Sequence, residues 1–372
     1  MAKTKKRKLF MKGEYFDYTT VFVILVLVCF GLVMIYSTSS YSAYIKFGDA
    51  AYFLKRQGTF ALLGLACMFF VSRIDYHNYK KLTLIGYVVS VGLLLFVFLF
   101  GSEKLGAKRW IEIGPIQFQP SEIAKIVMII FVAHMVSNCA AEIKKWKILL
   151  KVLFISAIVV GLIAMENLST AIVTLAIVIV ILFVASPKYG QFIGMGMIAA
   201  AGMGLFLALF PYRIERVKIW LAPEKYEKGF QTLQSLYAIG SGGIFGKGLG
   251  QSMQKMGFIP ESHNDMIFSV ICEELGLFGA ICVIILFLVL IWRLMIIAAN
   301  AKDLFGSLIV VGVMAHIATQ VLVNIAVVTN TIPPTGVTLP FISYGGTSLV
   351  FLLIEMGIVL GVSRQIKLEQ HP

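Results

Sequence analysis

Charge is scarce in this 372-residue chain: only 14% of its residues are Asp, Glu, Lys or Arg, against about a quarter in soluble domains. With 59% of residues hydrophobic and a mean hydropathy of +0.89, there is too little polar surface to clothe a water-soluble fold. Cysteine is equally thin. Cys29, Cys67, Cys139, Cys272 and Cys282 are scattered, mostly within apolar runs, and form no CxxC or His-rich cluster. That pattern excludes a disulfide framework and a thiolate metal site, leaving them as small hydrophobes. No sequence repeat at a fixed period is visible, and no polar stretch is long enough to be a soluble catalytic domain. The basic N-terminal stretch, MAKTKKRKLFMKGEYFDYTT, runs into a long apolar segment with no small-residue cleavage site directly after it, so an uncleaved signal anchor is expected.

Long apolar runs are abundant. At about 20 residues per crossing, spans are expected near 20–38, 58–73, 83–100, 121–137, 149–165, 169–186, 190–210, 266–292, 305–326 and 347–363. The expected fold is an all-α polytopic membrane protein of about ten transmembrane helices. It divides into a basic tail at 1–19, a single membrane domain at 20–363 and a C-terminal tail at 364–372. The longest non-spanning segment, 211–265, separates the seventh and eighth spans.

The net charge of +13 would suggest nucleic acid in a soluble protein, but in a membrane protein Lys and Arg accumulate in cytoplasmic loops. Placing both termini in the cytoplasm puts Arg73, Lys80, Lys81, Lys144, Lys145, Lys147, Lys188, Arg293, Lys302, Arg364 and Lys367 inside. A substantial basic set is left outside: Lys46, Lys55, Arg56, Lys104, Lys108, Arg109, Arg213, Arg216, Lys218, Lys225, Lys228, Lys247 and Lys255. Two explanations stand: long loops translocate regardless of charge, or these residues meet an anionic ligand such as a phosphate-bearing lipid. Ile214, Val217, Trp220 and Leu221, interleaved with basic residues, have the spacing of a helix lying in the membrane interface.

Chemistry-bearing residues concentrate on the same side. Glu261, His263 and Asp265, in PESHNDMIF, are the closely clustered titratable groups of complementary type there. Asp265 suits a general base at the edge of low dielectric, and suits equally a helix N-cap for the span that follows. Glu122 and Lys125 share a face at the start of the fourth span, as a structural ion pair or as part of a substrate cavity. Glu273, Glu274 and Glu355 raise the same question, while His134, His316, Gln320 and Asn324 read as interhelical hydrogen-bonding groups. Gly246, Gly248 and Gly250 have no strand before them, so a dinucleotide-binding loop is rejected in favour of a phosphate-contacting or plain flexible turn. The segments 106–122 and 330–349 are dense in Pro and Gly. Such non-helical backbone is tolerated at membrane depth only when buried or lining a cavity.

Six blocks, KRWI, FQPSEIAK, ENLSTA, QSLYAIGSGGIFGKGLGQS, QKMGFIPESHNDMIFSVICEELG and PPTGVTLPFISYGGTSL, resemble in order and topology those of the SEDS family of peptidoglycan glycosyltransferases. The Ser of ENLSTA is similar to the FtsW/SpoVE branch rather than the RodA branch. The resemblance implies a ten-helix fold that polymerises lipid II at the outer face of the cytoplasmic membrane, for cell division or sporulation. It implies Asp265 as the catalytic residue, with Lys108, Arg109, Glu122, Lys125, Glu261, His263, Ser343 and Tyr344 binding substrate. It also implies a class B penicillin-binding protein and other division or elongation proteins as partners. No dedicated metal site is visible, although a divalent cation, magnesium or manganese, would suit a pyrophosphate leaving group. A lipid II flippase and a non-catalytic scaffold are the alternatives.

Overall fold

In the computed structural model, residues 15–104, 107–113, 116–140, 142–143, 145–194, 196, 218–260 and 262–366 are described. Among them eight helices are long and apolar enough to cross a membrane. They are α1 (Tyr18–Phe47), α2 (Tyr52–Val71), α3 (Tyr79–Phe100, preceded by a 3-10 turn at Tyr76–Asn78), α4 (Pro120–Asn138), α5 (Trp146–Glu166), α6 (Leu168–Ala185), α8 (Ile267–Ala299) and α9 (Leu304–Val328). A shorter apolar helix, α10 (Thr347–Ser363), completes the described bundle, and α7 (Phe230–Gly242) is a short helix leading toward α8. Most of the expected seventh span, with Arg213 and Arg216, lies outside the described residues. The chain is a multi-pass helical membrane protein.

The helix limits follow the apolar runs to within a few residues, with two instructive differences. α1 runs nine residues past the expected end at 38, through SSYSAYIKF, because Thr38 and Ser39 turn their hydroxyls back to the carbonyls of Met34 and Ile35 at 2.8 and 2.6 Å. Hydroxyls satisfied within the helix add no unpaired polar group. The second difference is a small antiparallel sheet in an otherwise helical protein, formed by β1 (Ser102–Lys104), β2 (Ala107–Ile113) and β3 (Ile116–Phe118). The pairs Ile111–Phe118 and Ile113–Ile116 set the register of its second hairpin. The sheet ends directly before α4, whose first residue is Pro120, the helical position where a missing N–H costs nothing.

The centre of the bundle is α9, which packs against α4, α6 and α8, while α2 lies along α10. At one end of the bundle His77 bridges Asp75 and Asp303 at 2.7 and 2.6 Å, and Gln365 donates to Asp75. Burial pushes both Asp carboxyls up, but hydrogen bonds from His77 and neighbouring backbone N–H groups outweigh it and hold both below the usual carboxylate range.

The glycine-dense run has a third role, neither phosphate turn nor flexible linker. α8 is broken at Gly276, whose φ of 68° no ordinary helical residue adopts. The break removes the bonds that Leu277 and Phe278 would donate to the carbonyls of Glu273 and Glu274. Residues 243–248 replace them: Leu277 and Phe278 donate to the carbonyls of Gly243 and Ile244 at 2.9 and 3.0 Å. Lys247 and Gly248 donate to those of Glu273 and Glu274 at 2.9 and 3.0 Å. A Cβ at Gly246 would collide with the Glu274 carbonyl.

The side chains reinforce the splice. Glu273 accepts from Lys247 Nζ at 2.7 Å and from Ser252 Oγ, and Glu274 accepts from Lys255 Nζ at 2.8 Å and from Ser37 Oγ of α1 at 2.6 Å. Both glutamates are completely buried. Lys55 is also taken up, by Asp49 at 2.8 Å, so part of the excess basic charge noted in the sequence is neutralised within the fold. Removing one partner of a buried pair strands the other, typically costing about 3–5 kcal/mol. Lys255→Met is therefore expected to lower thermal stability by an amount of that order, measured by the melting temperature of the purified protein. An unchanged melting temperature would show that the pair does not hold the splice.

Candidate active site

The loops entering α8 and α10, the β2–β3 hairpin and the first turns of α4, α6 and α10 surround a cavity of about 670 Å³. Glu122 and Lys125 form its floor, 3.0 Å apart and both nearly or fully buried. Ser348 at the start of α10 donates to the other Glu122 oxygen at 3.0 Å, so the pair is clamped across two helices. Asp265 is on the wall, beside Gly336: a Cβ on that glycine would lie 3.8 Å from Asp265 Oδ2. The N-cap position of α8 is Met266, whose side chain makes no capping bond, and Asp265 directly precedes it.

Helix polarity adds to the electrostatics. α6 begins with Asn167, whose Oδ1 accepts from the N–H groups of Ser169 and Thr170, and Asn167 and Thr170 both face the cavity. Gln119 and Glu122 of α4, and Thr347 and Ser348 of α10, bring two more helix N-termini to the same wall. Each helix N-terminus carries roughly half a unit of positive charge, so three converging ends together with Lys125 and Arg56 favour an anion.

The wall is held by buried amides. Gln57 of α2 accepts from the N–H groups of Gly345 and Gly346 at 3.3 and 3.1 Å and donates to the Ser343 carbonyl at 3.3 Å, fixing the SYGG turn. The Tyr344 N–H donates to the His263 carbonyl at 2.9 Å, and the Thr347 hydroxyl to the Gln117 carbonyl of β3 at 3.1 Å. Burial pushes the Tyr344 phenol up from its usual range.

Among the residues singled out in the sequence, the fold brings Asp265, Glu122, Lys125 and Tyr344 to the cavity. It places His263 and Ser343 behind it. The His263 ring lies tilted against Phe53 at 4.4 Å and edge-to-face with Tyr344 at 5.5 Å, and Ser343 Oγ accepts from the Leu339 N–H at 2.9 Å. Both are buried, His263 in the loop entering α8 and Ser343 in the loop entering α10, and they brace these loops from behind the cavity. Lys108 and Arg109 fall in β2, but their side chains, like the whole of Glu261, lie outside the described residues. Glu273 and Glu274 belong to the splice, and Glu355 pairs with His316 at 2.8 Å between α9 and α10. Sequence reading missed Arg56, Trp110, Gln117, Asn167 and Thr170 as wall residues. Arg56 had a signal as one of the external basic residues suited to an anionic ligand, Trp110 as part of KRWI, and Asn167 and Thr170 as polar groups opening an apolar helix; Gln117 had none of its own.

Among the described residues no group of three or more His, Cys, Asp or Glu side chains gathers to hold a metal. Replacing Glu122 or Lys125 singly, as Glu122→Gln or Lys125→Met, is expected to destabilise by about 3–5 kcal/mol, and the double replacement to recover much of that loss. If the pair serves only the fold, function recovers along with stability; if the cavity uses Lys125, it does not. Melting temperature and substrate turnover measured on all three variants separate the two, and the second outcome is expected.

Known proteins fit this geometry. A model of the FtsW/RodA/SpoVE cell cycle protein family matches residues 18–368. Stage V sporulation protein E of Bacillus subtilis is 40% identical over 357 residues, covering 94% of this chain and 97% of that protein. A probable peptidoglycan glycosyltransferase FtsW of Geobacter sp. is 37% identical over 360 residues, covering 95% and 98%. Among solved structures, one chain comes from work described as structural coordination of polymerization and crosslinking by a peptidoglycan synthase complex. It superposes with a TM-score of 0.81 at 30% identity, covering 94% of this chain and 98% of that one. The rod shape determining protein RodA of Thermus thermophilus superposes with a TM-score of 0.71 at 28% identity, covering 96% and 99%. A family match over nearly the whole chain, joined to the same fold, means that this protein belongs to the FtsW/RodA/SpoVE family.

Proposed function

We propose that the protein is a peptidoglycan glycosyltransferase that polymerises lipid II on the extracytoplasmic side of the membrane, in cell division or sporulation. The observation that carries this reading is one cavity joining a carboxylate, Asp265, to an anion-favouring floor of Lys125 and three helix N-termini. Relatives named as FtsW and as a sporulation protein support the substrate and the setting. The likeness to a chain of a complex that couples polymerization to crosslinking supports a class B penicillin-binding protein as partner.

In this mechanism Asp265 takes the proton from the C4 hydroxyl of the acceptor's terminal GlcNAc as that oxygen attacks the anomeric carbon of the donor's MurNAc. The bond from that carbon to the pyrophosphate oxygen breaks, and undecaprenyl pyrophosphate leaves with the electron pair. Lys125, Arg56 and the N-termini of α4, α6 and α10 face the developing charge. They are oriented before the reaction and so need no reorganisation as it forms.

Asp265→Asn keeps the shape of the side chain and removes the base, so polymerisation should fall by roughly 10²- to 10⁴-fold with folding intact. Incubating purified protein with lipid II and resolving the glycan products checks this. A near-normal rate would take Asp265 out of the chemistry, while lipid movement without any polymer from the unaltered protein would favour a flippase.

Sidedness has its own test. Ser262, next to the site, is buried and donates to the Thr38 carbonyl, so a label there would report burial rather than topology. Lys225 is exposed. In a cysteine-free background, Lys225→Cys should react with a membrane-impermeant maleimide in intact cells. Reaction only after lysis would reverse the orientation.

A further inference from the structure

Asn324 lies four residues beyond Gln320 on α9, completely buried beneath the cavity wall. Its Nδ2 donates to two backbone carbonyls, that of Asp265 at 2.7 Å and that of Val337 at 2.8 Å. These carbonyls belong to different loops, one entering α8 and the other entering α10. Val337 follows Gly336, whose backbone lies against the Asp265 carboxylate: a Cβ there would be in ordinary contact with Oδ2 at 3.8 Å. One side chain on the central helix therefore fixes both the backbone of Asp265 and the surface its carboxylate faces.

The other half of the amide argues that this is more than packing. Asn324 Oδ1 has no hydrogen-bond partner among the described residues. Burying an amide with its acceptor unpaired opposes stability, and a leucine of similar size would fill the same space without that cost. What asparagine supplies and leucine cannot is the pair of donations to the two loops. Both loops lack regular secondary structure here; the Tyr344 N–H donates to the His263 carbonyl and joins them at one point, and the Asn324 amide adds a tie at Asp265 and Val337 themselves.

We propose that Asn324 is a positioning residue for Asp265, setting the height and direction of its carboxylate over the Glu122–Lys125 floor by tying the two loops together. This rests on the reading of Asp265 as the general base. Base catalysis needs hydrogen-bond reach to the proton being removed, and displacement of about 1 Å can cost on the order of 100-fold in rate. Loss of the strut should therefore lower kcat and leave binding of the lipid-linked substrate nearly unchanged, since the anion-facing groups are on α4, α6 and α10.

The test uses the purified full-length chain with lipid II, comparing Asn324→Ala, Asn324→Leu and Asp265→Asn. Both Asn324 variants are expected to lose about 10- to 100-fold in kcat with KM within about twofold of the unaltered protein. Asn324→Leu, which keeps the packing, should keep its melting temperature. Normal kcat in Asn324→Leu would show that packing suffices and would overturn the proposal. So would a rise in KM matching the fall in kcat/KM at constant kcat, or failure of both Asn324 variants to fold. If Asp265→Asn polymerises normally, the general-base reading fails and takes this proposal with it, whereas an inactive Asp265→Asn beside a normal Asn324→Leu sinks the strut alone.

Discussion

Everything that shapes the cavity follows from one constraint: at membrane depth a backbone N–H or carbonyl must find a partner inside the protein. A regular helix meets this by itself and offers no site. Among the described residues, two departures from regular helix show how buried groups close the resulting deficit. At Gly276 the four backbone groups freed by the break are paired one for one with residues 243–248. At the entry to α10, Gln57 and Asn324 reach from neighbouring helices to the loose carbonyls and N–H groups of 337–346. Irregular backbone is thus held rigidly enough to carry functional side chains.

The same constraint sorts the ionisable residues. Those in the splice are matched carboxylate to ammonium, Glu273 with Lys247 and Glu274 with Lys255; both carboxylates are fully buried, while Lys247 stays partly exposed. Glu355 and His316 are matched between two helices. The Glu122–Lys125 pair differs in place rather than in kind, because it is paired at 3.0 Å and still lines an open volume, with helix N-termini around it. The helix N-termini around the pair supply the positive potential that a net-neutral pair by itself does not.

Much of the fold was legible because lipid imposes a simple rule on composition. The spans at 305–326 and 347–363 became Leu304–Val328 and Thr347–Ser363. The charged groups that the fold brings to the cavity, Asp265, Glu122 and Lys125, stood out because charge is so rare here. The glycine run was noticed but given the wrong kinds of role. Its partner is a break in a helix that begins 17 residues beyond Gly250, and a helix broken by a single glycine leaves no mark in an otherwise apolar run. Asn324 and Gln57 were harder still, each one polar residue in a span, with bonding partners 13 to 289 positions away.

The sequence by itself determined that the chain lives in a bilayer, where its helices run, and which ordered motifs place it beside its relatives, since hydropathy and motif order are properties read along the chain. Only the tertiary structure decided which polar residues face the cavity and which brace it. Asp265 and His263 are two positions apart in one loop. One reaches the cavity and the other packs against Phe53, because the direction of a side chain in irregular backbone is set by what packs around it.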